Sequence, residues 1–379
     1  MTADQSRDSV IAANEGAREP RFSETIATHA YRARHRMRIR LSILSVGLAV
    51  SGSLSAAEPL FDLKKVADGV YIALARRQPI LNSNAAVIIL DDGVLVVDTH
   101  SKPSAARALI EQIKTVTDKP VRYVVDTHFH YDHFQGNSAY LQAFPGRVEI
   151  ISSAATHRGI VHRGVPRIKA EIANLPEQID VLKHRLARTT NPTDQAELKR
   201  EIAATQEYLQ ELKNIGDVIP TLTFEKSLVL HRKDRIVEIL FLGRGHTDGD
   251  TVVFLPKEKI LCTGDLVHAW VPYMPDSHPY DWIRTLEAVE KLDFDRIISG
   301  HGDVLTGKKQ VTLWKDYLRD LMAQVENQYA NGATLDEIKR NVDLSKYESL
   351  MGIRGVGSGL AGALNGHIEK AFREISWSP

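Results

Sequence analysis

Thr127-His128-Phe129-His130-Tyr131-Asp132-His133 is the stretch that decides how this chain is read. It follows residues 121–126, where Val121, Tyr123, Val124 and Val125 read as a buried strand. Three imidazoles and a carboxylate within six positions make a poor core, because burial would leave their polar atoms short of partners. They make a good metal loop, since neutral imidazole and carboxylate both suit zinc and similar divalent ions. His128 and His130 are two apart, so an extended backbone points both to one side. Asp132 and His133 are adjacent and can face a second ion as the chain turns into a helix. The competing reading is a His-rich surface loop. It suits a single histidine better than the pattern H-x-H-x-D-H placed after a strand.

Around this loop the chain is balanced. Its 379 residues carry 48 Lys and Arg against 48 Asp and Glu, so no net field recommends nucleic acid or an anionic membrane. Hydrophobic residues make up 43%, which is ordinary for a soluble globular protein of one large domain or two smaller ones. Cys262 is the only cysteine, so no intrachain disulfide can form.

The amino end addresses location. Residues 1–36 are polar, mixed in charge and without apolar period. Met37-Arg38-Ile39-Arg40 then precedes an apolar run at 41–54 and the small residues Ser55-Ala56-Ala57. Charge, apolar core and small-residue cleavage site together form a secretory signal, with Met37 as the expected start and 1–57 as leader and signal. Cleavage after Ala57 would leave a periplasmic or secreted protein with no membrane span. The alternative is an uncleaved amphipathic anchor.

From residue 58 to about 310 the pattern alternates strands and helices. Residues 66–75 hold a strand–turn signal at Asp68-Gly69. Segments 85–90 and 94–97 flank Asp91-Asp92-Gly93 and read as a hairpin. A helix is expected at 103–115, a short helix at 138–143 and a strand at 148–152. Further strands are expected at 227–230, 236–242, 251–255, 260–262 and 296–299, with helices at 280–292 and 311–329. That plan is α/β and layered. Residues 163–215 differ. Ile168, Ile172, Leu175, Ile179, Leu182 and Leu186 step by four and three, and Leu198, Ile202, Thr205, Leu209 and Leu212 do the same. Asn191-Pro192 lies between them, so the segment reads as an inserted helical hairpin, with Pro176 kinking or restarting its first helix. It is either a packed structural insertion or a lid or homodimerisation element near the metal site. Residues 311–379 form a C-terminal helical extension with a Gly-rich stretch at 352–366. That stretch lacks the lysine and preceding strand of a phosphate loop.

Four places present a ligand-type side chain just after an expected strand: the H-x-H-x-D-H loop, His246, Asp265 and His301. Gly245, Gly264, Gly300 and Gly302 flank three of them and permit sharp turns. Strand-end loops gathered on one edge are where α/β sites form.

On these residues the chain resembles the metallo-β-lactamase superfamily, in the expected order over roughly residues 60–305. The resemblance implies a four-layer αββα sandwich with two zinc ions, iron or manganese being other ions its donors admit. It implies that His128, His130 and His246 hold the first ion, Asp132, His133 and His301 the second, and that Asp265 bridges them. The Gly243-to-Asp248 segment and Ile260-Leu261-Cys262-Thr263-Gly264 are similar to true metallo-β-lactamases. However, the ligand Cys of those enzymes falls on Asp265, and their substrate-gripping lysine falls on His268. The seven-ligand set is similar to glyoxalase II-like thioesterases and lactonases. Cys262 reads as a buried strand residue rather than a ligand.

Two ions sharing a water lower its pKa to roughly 7, so that hydroxide can attack a polarised carbonyl. Asp132 is the expected catalytic residue, orienting the hydroxide and shuttling its proton. Asp98 is expected to accept the other N–H of a ligand imidazole, or to serve as a turn residue. His268, Tyr131, Trp270 and Tyr273 are candidate walls of a substrate pocket, or packing residues. The expected activity is hydrolysis of a small cyclic amide, ester or thioester, a β-lactam among them. A phosphodiesterase and a non-catalytic metal-binding scaffold are the remaining alternatives.

Overall fold

A computed structural model describes residues 59–270, 273–348 and 359–377, with side chains from 363 onward in the last segment. The leader and signal at 1–57 and residues 352–358 of the Gly-rich stretch lie outside the described residues.

Two sheets form the centre. The first takes β1 (Phe61–Ala67), β2 (Val70–Ala75), β3 (Ala85–Ile89), β4 (Val94–Val97), β5 (Val121–Val125), β6 (Glu149–Ser153) and β7 (Leu222–Phe224) in sequence order. β1 to β4 pair antiparallel, and β4 to β7 pair parallel. The second sheet holds β8 (Ser227–His231), β9 (Ile236–Phe241), β10 (Thr251–Leu255), β11 (Ile260–Gly264), β12 (Arg296–Ser299) and β13 (Leu305–Thr306), again in sequence order. Its one parallel pair, β11 with β12, is joined by a helical crossover.

The helices are α1 (Pro103–Ile113), α2 (Tyr131–Phe134), α3 (Asn137–Ala143), α4 (Ala154–Gly159), α5 (Val165–Arg188), α6 (Pro192–Lys213), α7 (Pro279–Glu290), α8 (Lys309–Ala330), α9 (Leu335–Asn341) and α10 (Gly359–Ser376). One π turn, Ile160–Gly164, separates α4 from α5.

Alternation along the strands builds the layers. Val94 and Val96 join Leu109, Ile110 and Tyr140 in the core under α1 and α3. Leu95 and Val97, on the other face of β4, join Ile88, Val253, Ile260 and Cys262 between the sheets. Leu261 turns the opposite way and packs with Trp282, Leu286, Trp314 and Leu318 of α7 and α8. Helix layer, sheet, sheet, helix layer is therefore the observed order, the αββα sandwich expected above. Each fully buried Val, Leu or Ile contributes about 1.5–3 kcal/mol, so the inter-sheet layer supplies much of the drive to fold. Ile338, Tyr347, Ile368 and Ala371 of the C-terminal helical region share the core of the second sheet.

The insertion between β6 and β7 is a helical hairpin, as the periodicity requires. The Asn191 side chain caps α6 by accepting from the Thr193 and Asp194 amides. Of the kink or restart expected at Pro176, the restart does not occur: α5 runs from Val165 to Arg188 with the proline inside it. Leu175 and Ile179, on either side of Pro176, are buried with Tyr208, Leu209 and Leu212 of α6. Tertiary packing thus offsets the hydrogen bond that a proline removes. The same cluster takes in Phe129 and Phe134, so the hairpin's apolar seam is seated on the metal loop.

Replacing Ile88 by Ala, in the inter-sheet layer, should cost about 2–5 kcal/mol. Urea unfolding should show it as a lowered midpoint with an unchanged slope.

Candidate metal centre

Every expected ligand lies just beyond the C-terminal end of a strand. His128, His130, Asp132 and His133 follow β5, His246 follows β9, Asp265 follows β11 and His301 follows β12. All seven are buried. Three trios bring ligand atoms within 4.8 Å of one another: His128, His130 and His246; His128, His133 and Asp265; and Asp132, His133 and His301.

The Asp265 carboxylate joins the trios. Its Oδ1 lies 3.5 Å from His133 Nε2, and its Oδ2 lies 3.4 Å from His301 Nε2 and 3.8 Å from His246 Nε2. Asp132 Oδ2 lies 3.2 Å from His301 Nε2 and 3.5 Å from His133 Nε2. His130 Nδ1 faces His246 Nε2 at 2.9 Å.

The backbone makes room for this convergence. Gly264 has φ +51°, and a Cβ there would stand 2.3 Å from the Thr127 hydroxyl. A Cβ on Gly300 would stand 2.2 Å from Asp265 Oδ1. Asn84 ties the last loop down, its Nδ2 donating to the Ser299 and Gly302 carbonyls at 2.9 and 2.8 Å. Ser83 Oγ donates to the Asp132 carbonyl at 2.7 Å.

Asp98 bonds both His133 and the start of the H-x-H-x-D-H loop. Its Oδ2 accepts from His133 Nδ1 at 2.8 Å, and its Oδ1 accepts from the Thr127 amide at 2.9 Å. It does so from a left-handed backbone, φ +66°, and His100 two residues on is also left-handed at φ +74°. Two such non-glycine residues at a strand end are strain held by the surrounding packing. Burial pushes the His100 imidazole down to about 3, so it stays neutral, bonded through Nδ1 to the Ser83 carbonyl at 3.0 Å and stacked on Phe61.

The donor chemistry fits divalent metal ions. His128 Nε2, His133 Nε2, Asp132 Oδ2 and Asp265 Oδ1 are buried with no hydrogen-bond partner among the described residues, an arrangement that costs stability unless a ligand satisfies it. Burial and neighbouring imidazoles hold His128 and His246 neutral, the form that ligates. Burial opposes charge on His301 as well, but Asp265 and Asp132 outweigh it and raise that imidazole to about 9. His133 is raised for the same reason. A cation entering the trio of Asp132, His133 and His301 therefore displaces protons, so its affinity falls as pH falls.

With this geometry in place, residues 79–301 match the family model described as the metallo-β-lactamase superfamily. The chain belongs to that superfamily. Among characterised relatives it is 24% identical over 269 residues to a linear primary-alkylsulfatase of Pseudomonas sp., covering 67% of this chain and 48% of that protein. It is 23% identical over 287 residues to the α subunit of a 2,4-dinitroanisole O-demethylase of Nocardioides sp., covering 74% of this chain and 65% of that one. To a type 2 metallo-β-lactamase of Bacillus cereus it is 24% identical over 228 residues, covering 59% and 68%. The chain thus spans about half the length of the alkylsulfatase it matches.

The candidate wall residues divide. Trp270 stacks on His301 at 5.0 Å, and Tyr273, half exposed, meets the His130 ring edge-on at 5.4 Å. His268 is buried between Trp314 and His301, and its Nδ1 accepts from the Trp270 amide at 3.1 Å. Tyr131 turns to the insertion instead, with the Arg167 guanidinium 5.2 Å from its ring centre. Cys262 is buried in β11 as expected, and burial pushes its thiol up, away from the ligating thiolate.

The sequence reading missed Asp276, whose Oδ2 accepts from His130 Nε2 at 2.8 Å. It also missed Ser83 and Asn84. The only available signal for those two was the polar run Asn82-Ser83-Asn84 immediately before a strand.

Asp98→Asn should weaken zinc binding about 10–100-fold, because the ligand imidazole of His133 loses its charged acceptor. Competition with a chromophoric chelator measures it.

Proposed function

We propose that the chain is a zinc-dependent hydrolase, acting on a cyclic amide, ester or thioester. One observation carries this reading: a single buried carboxylate, Asp265, faces both histidine clusters. His128, His130 and His246 would hold one zinc, Asp132, His133 and His301 a second, with Asp265 shared. A pair of ions there supplies an acidified water and polarisation of the scissile bond.

The remaining work belongs to side chains. Asp132, at 3.2 Å from His301 Nε2, orients the nucleophile and takes its proton. Trp270, stacked on His301, and Tyr273, edge-on to His130, set an aromatic ring beside each cluster, where a flat or cyclic group could pack. His268 stands where β-lactamases carry a lysine, so no permanent cation grips a substrate carboxylate there. This favours a lactone or thioester over a β-lactam. Similarity to the alkylsulfatase over 67% of the chain supports a second reading, hydrolysis of a sulfate ester.

We place the protein outside the cytoplasm on the strength of the charged, apolar and small-residue pattern at 37–57. Mass spectrometry of the exported protein should find Glu58 as the first residue.

The function is tested with purified protein of measured zinc content. The substrates are nitrocefin, a carbapenem, lactones, S-lactoylglutathione, a primary alkyl sulfate and a phosphodiester. Turnover should appear on a lactone or thioester, vanish on chelation and return with zinc. His246→Ala should remove it while circular dichroism stays that of the wild type. Full turnover in that variant would sink the assignment. Activity confined to the alkyl sulfate would replace it with the second reading.

A further inference from the structure

The two clusters are supported in different ways. His133 leans on Asp98, a residue of the sandwich itself at the end of β4. His130 leans on Asp276, which lies in the loop before α7. Asp276 is in turn held by Arg163, whose Nη2 donates to its Oδ1. Arg163 belongs to the insertion. It occupies the π turn Ile160–Gly164 that joins α4 to α5.

Several observations show that this turn is built to deliver that arginine. A π turn widens the helix by one residue and so re-aims the side chains it carries. Glycines bracket it closely against the metal loop. A Cβ on Gly159 would stand 2.9 Å from Phe129, and one on Gly164 would stand 2.7 Å from Phe134. The Arg163 guanidinium lies 4.3 Å from the centre of the Phe129 ring, between the ligands His128 and His130. The planar guanidinium thus stacks on one flank and bonds a carboxylate on the other. Further along, the Tyr208 hydroxyl of α6 lies 2.9 Å from Gln135 Oε1, just past the metal loop, and 3.0 Å from Glu171 Oε2 of α5. The hairpin therefore grips the loop at both ends.

Resting on the dinuclear reading above, we infer that Arg163 is a positioning residue for the three-histidine cluster. Through Asp276 it fixes the ring of His130 and makes the inserted hairpin part of metal retention there. With Asp276 accepting the Nε2 proton, Nδ1 of His130 is the unprotonated nitrogen and faces His246. Without Arg163, the Asp276 side chain keeps no cationic partner in this contact. The His130 ring is then steadied by edge contacts with Phe129 and Tyr273.

The test is stepwise zinc titration of the whole chain against a chromophoric chelator. In the Co(II)-substituted protein, the paramagnetically shifted ring N–H resonances assign each step to its histidines. Arg163→Met keeps a flexible stem over Phe129 and removes the charge. It should weaken the step assigned to His128, His130 and His246 about tenfold and leave the other step unchanged. Arg163→Lys should restore part of the loss. Asp276→Asn should weaken the same step about 10–100-fold. Chelator-treated protein should melt at the same temperature in all of these forms, which separates positioning from a general loss of fold. If Arg163→Met lowers that melting temperature, Arg163→Lys and Asp276→Asn decide through the step they weaken. Wild-type affinity at both steps in Arg163→Met, or equal weakening of both, overturns the inference and leaves the dinuclear reading intact. A wild-type chain that binds no zinc overturns both.

Discussion

One carboxylate has to stand beside imidazoles contributed by three separate stretches of chain. Asp265 comes within 3.8 Å of His246, 3.5 Å of His133 and 3.4 Å of His301. At such spacings a shift of one ångström in any strand end would take a ligand atom out of reach. Much of the architecture serves that tolerance. The parallel pairs β4–β5 and β11–β12 put Asp98 beside the metal loop and Asp265 beside His301. The inter-sheet core then holds those pairs face to face. Asn84 reaches across from the first sheet to bond the carbonyls around His301 in the second.

The centre also shows how a low dielectric is put to use. Clustered carboxylates and imidazoles with unpartnered buried atoms would be a defect in an ordinary core. Here the surrounding shell supplies hydrogen bonds to the outer nitrogens of His133 and His130, and it leaves inner atoms free. Backbone strain at Asp98 and His100 is held in the same place. The sandwich thus carries both unpartnered buried polar atoms and torsional cost at this centre, and it offsets them through the aliphatic layers on either side.

The candidate ligands were legible in the sequence because each of the four stretches that carry them follows an apolar run and three of the four carry a flanking glycine, a pattern that local chemistry explains without knowledge of distant contacts. The layers were legible because strand alternation and helical period differ clearly. Other features depend on partners far along the chain. Asp276 is one acid in Met274-Pro275-Asp276-Ser277, and its meaning comes from Arg163, 113 residues away. The three-residue strand β7 has too few positions to show a period. Pro176 signalled a kink or a restart, and packing against α6 accompanies a helix that does not restart there. The contact of Tyr131 with Arg167 was hidden for a similar reason: Arg167 arrives with the insertion.

The hairpin leaves the sheet after β6 and returns to it at β7, two strands that pair in parallel through Ile151 and Leu222. Strand pairing has already closed that excursion, and closure entropy grows only slowly with the length of what is enclosed. A segment so anchored can be lengthened, trimmed or traded between lineages with little cost to the sandwich. In this chain the trade is not free, because the segment also brings the cation that steadies Asp276. Any replacement would have to arrive with its own arginine, or find another way to keep one histidine facing inward.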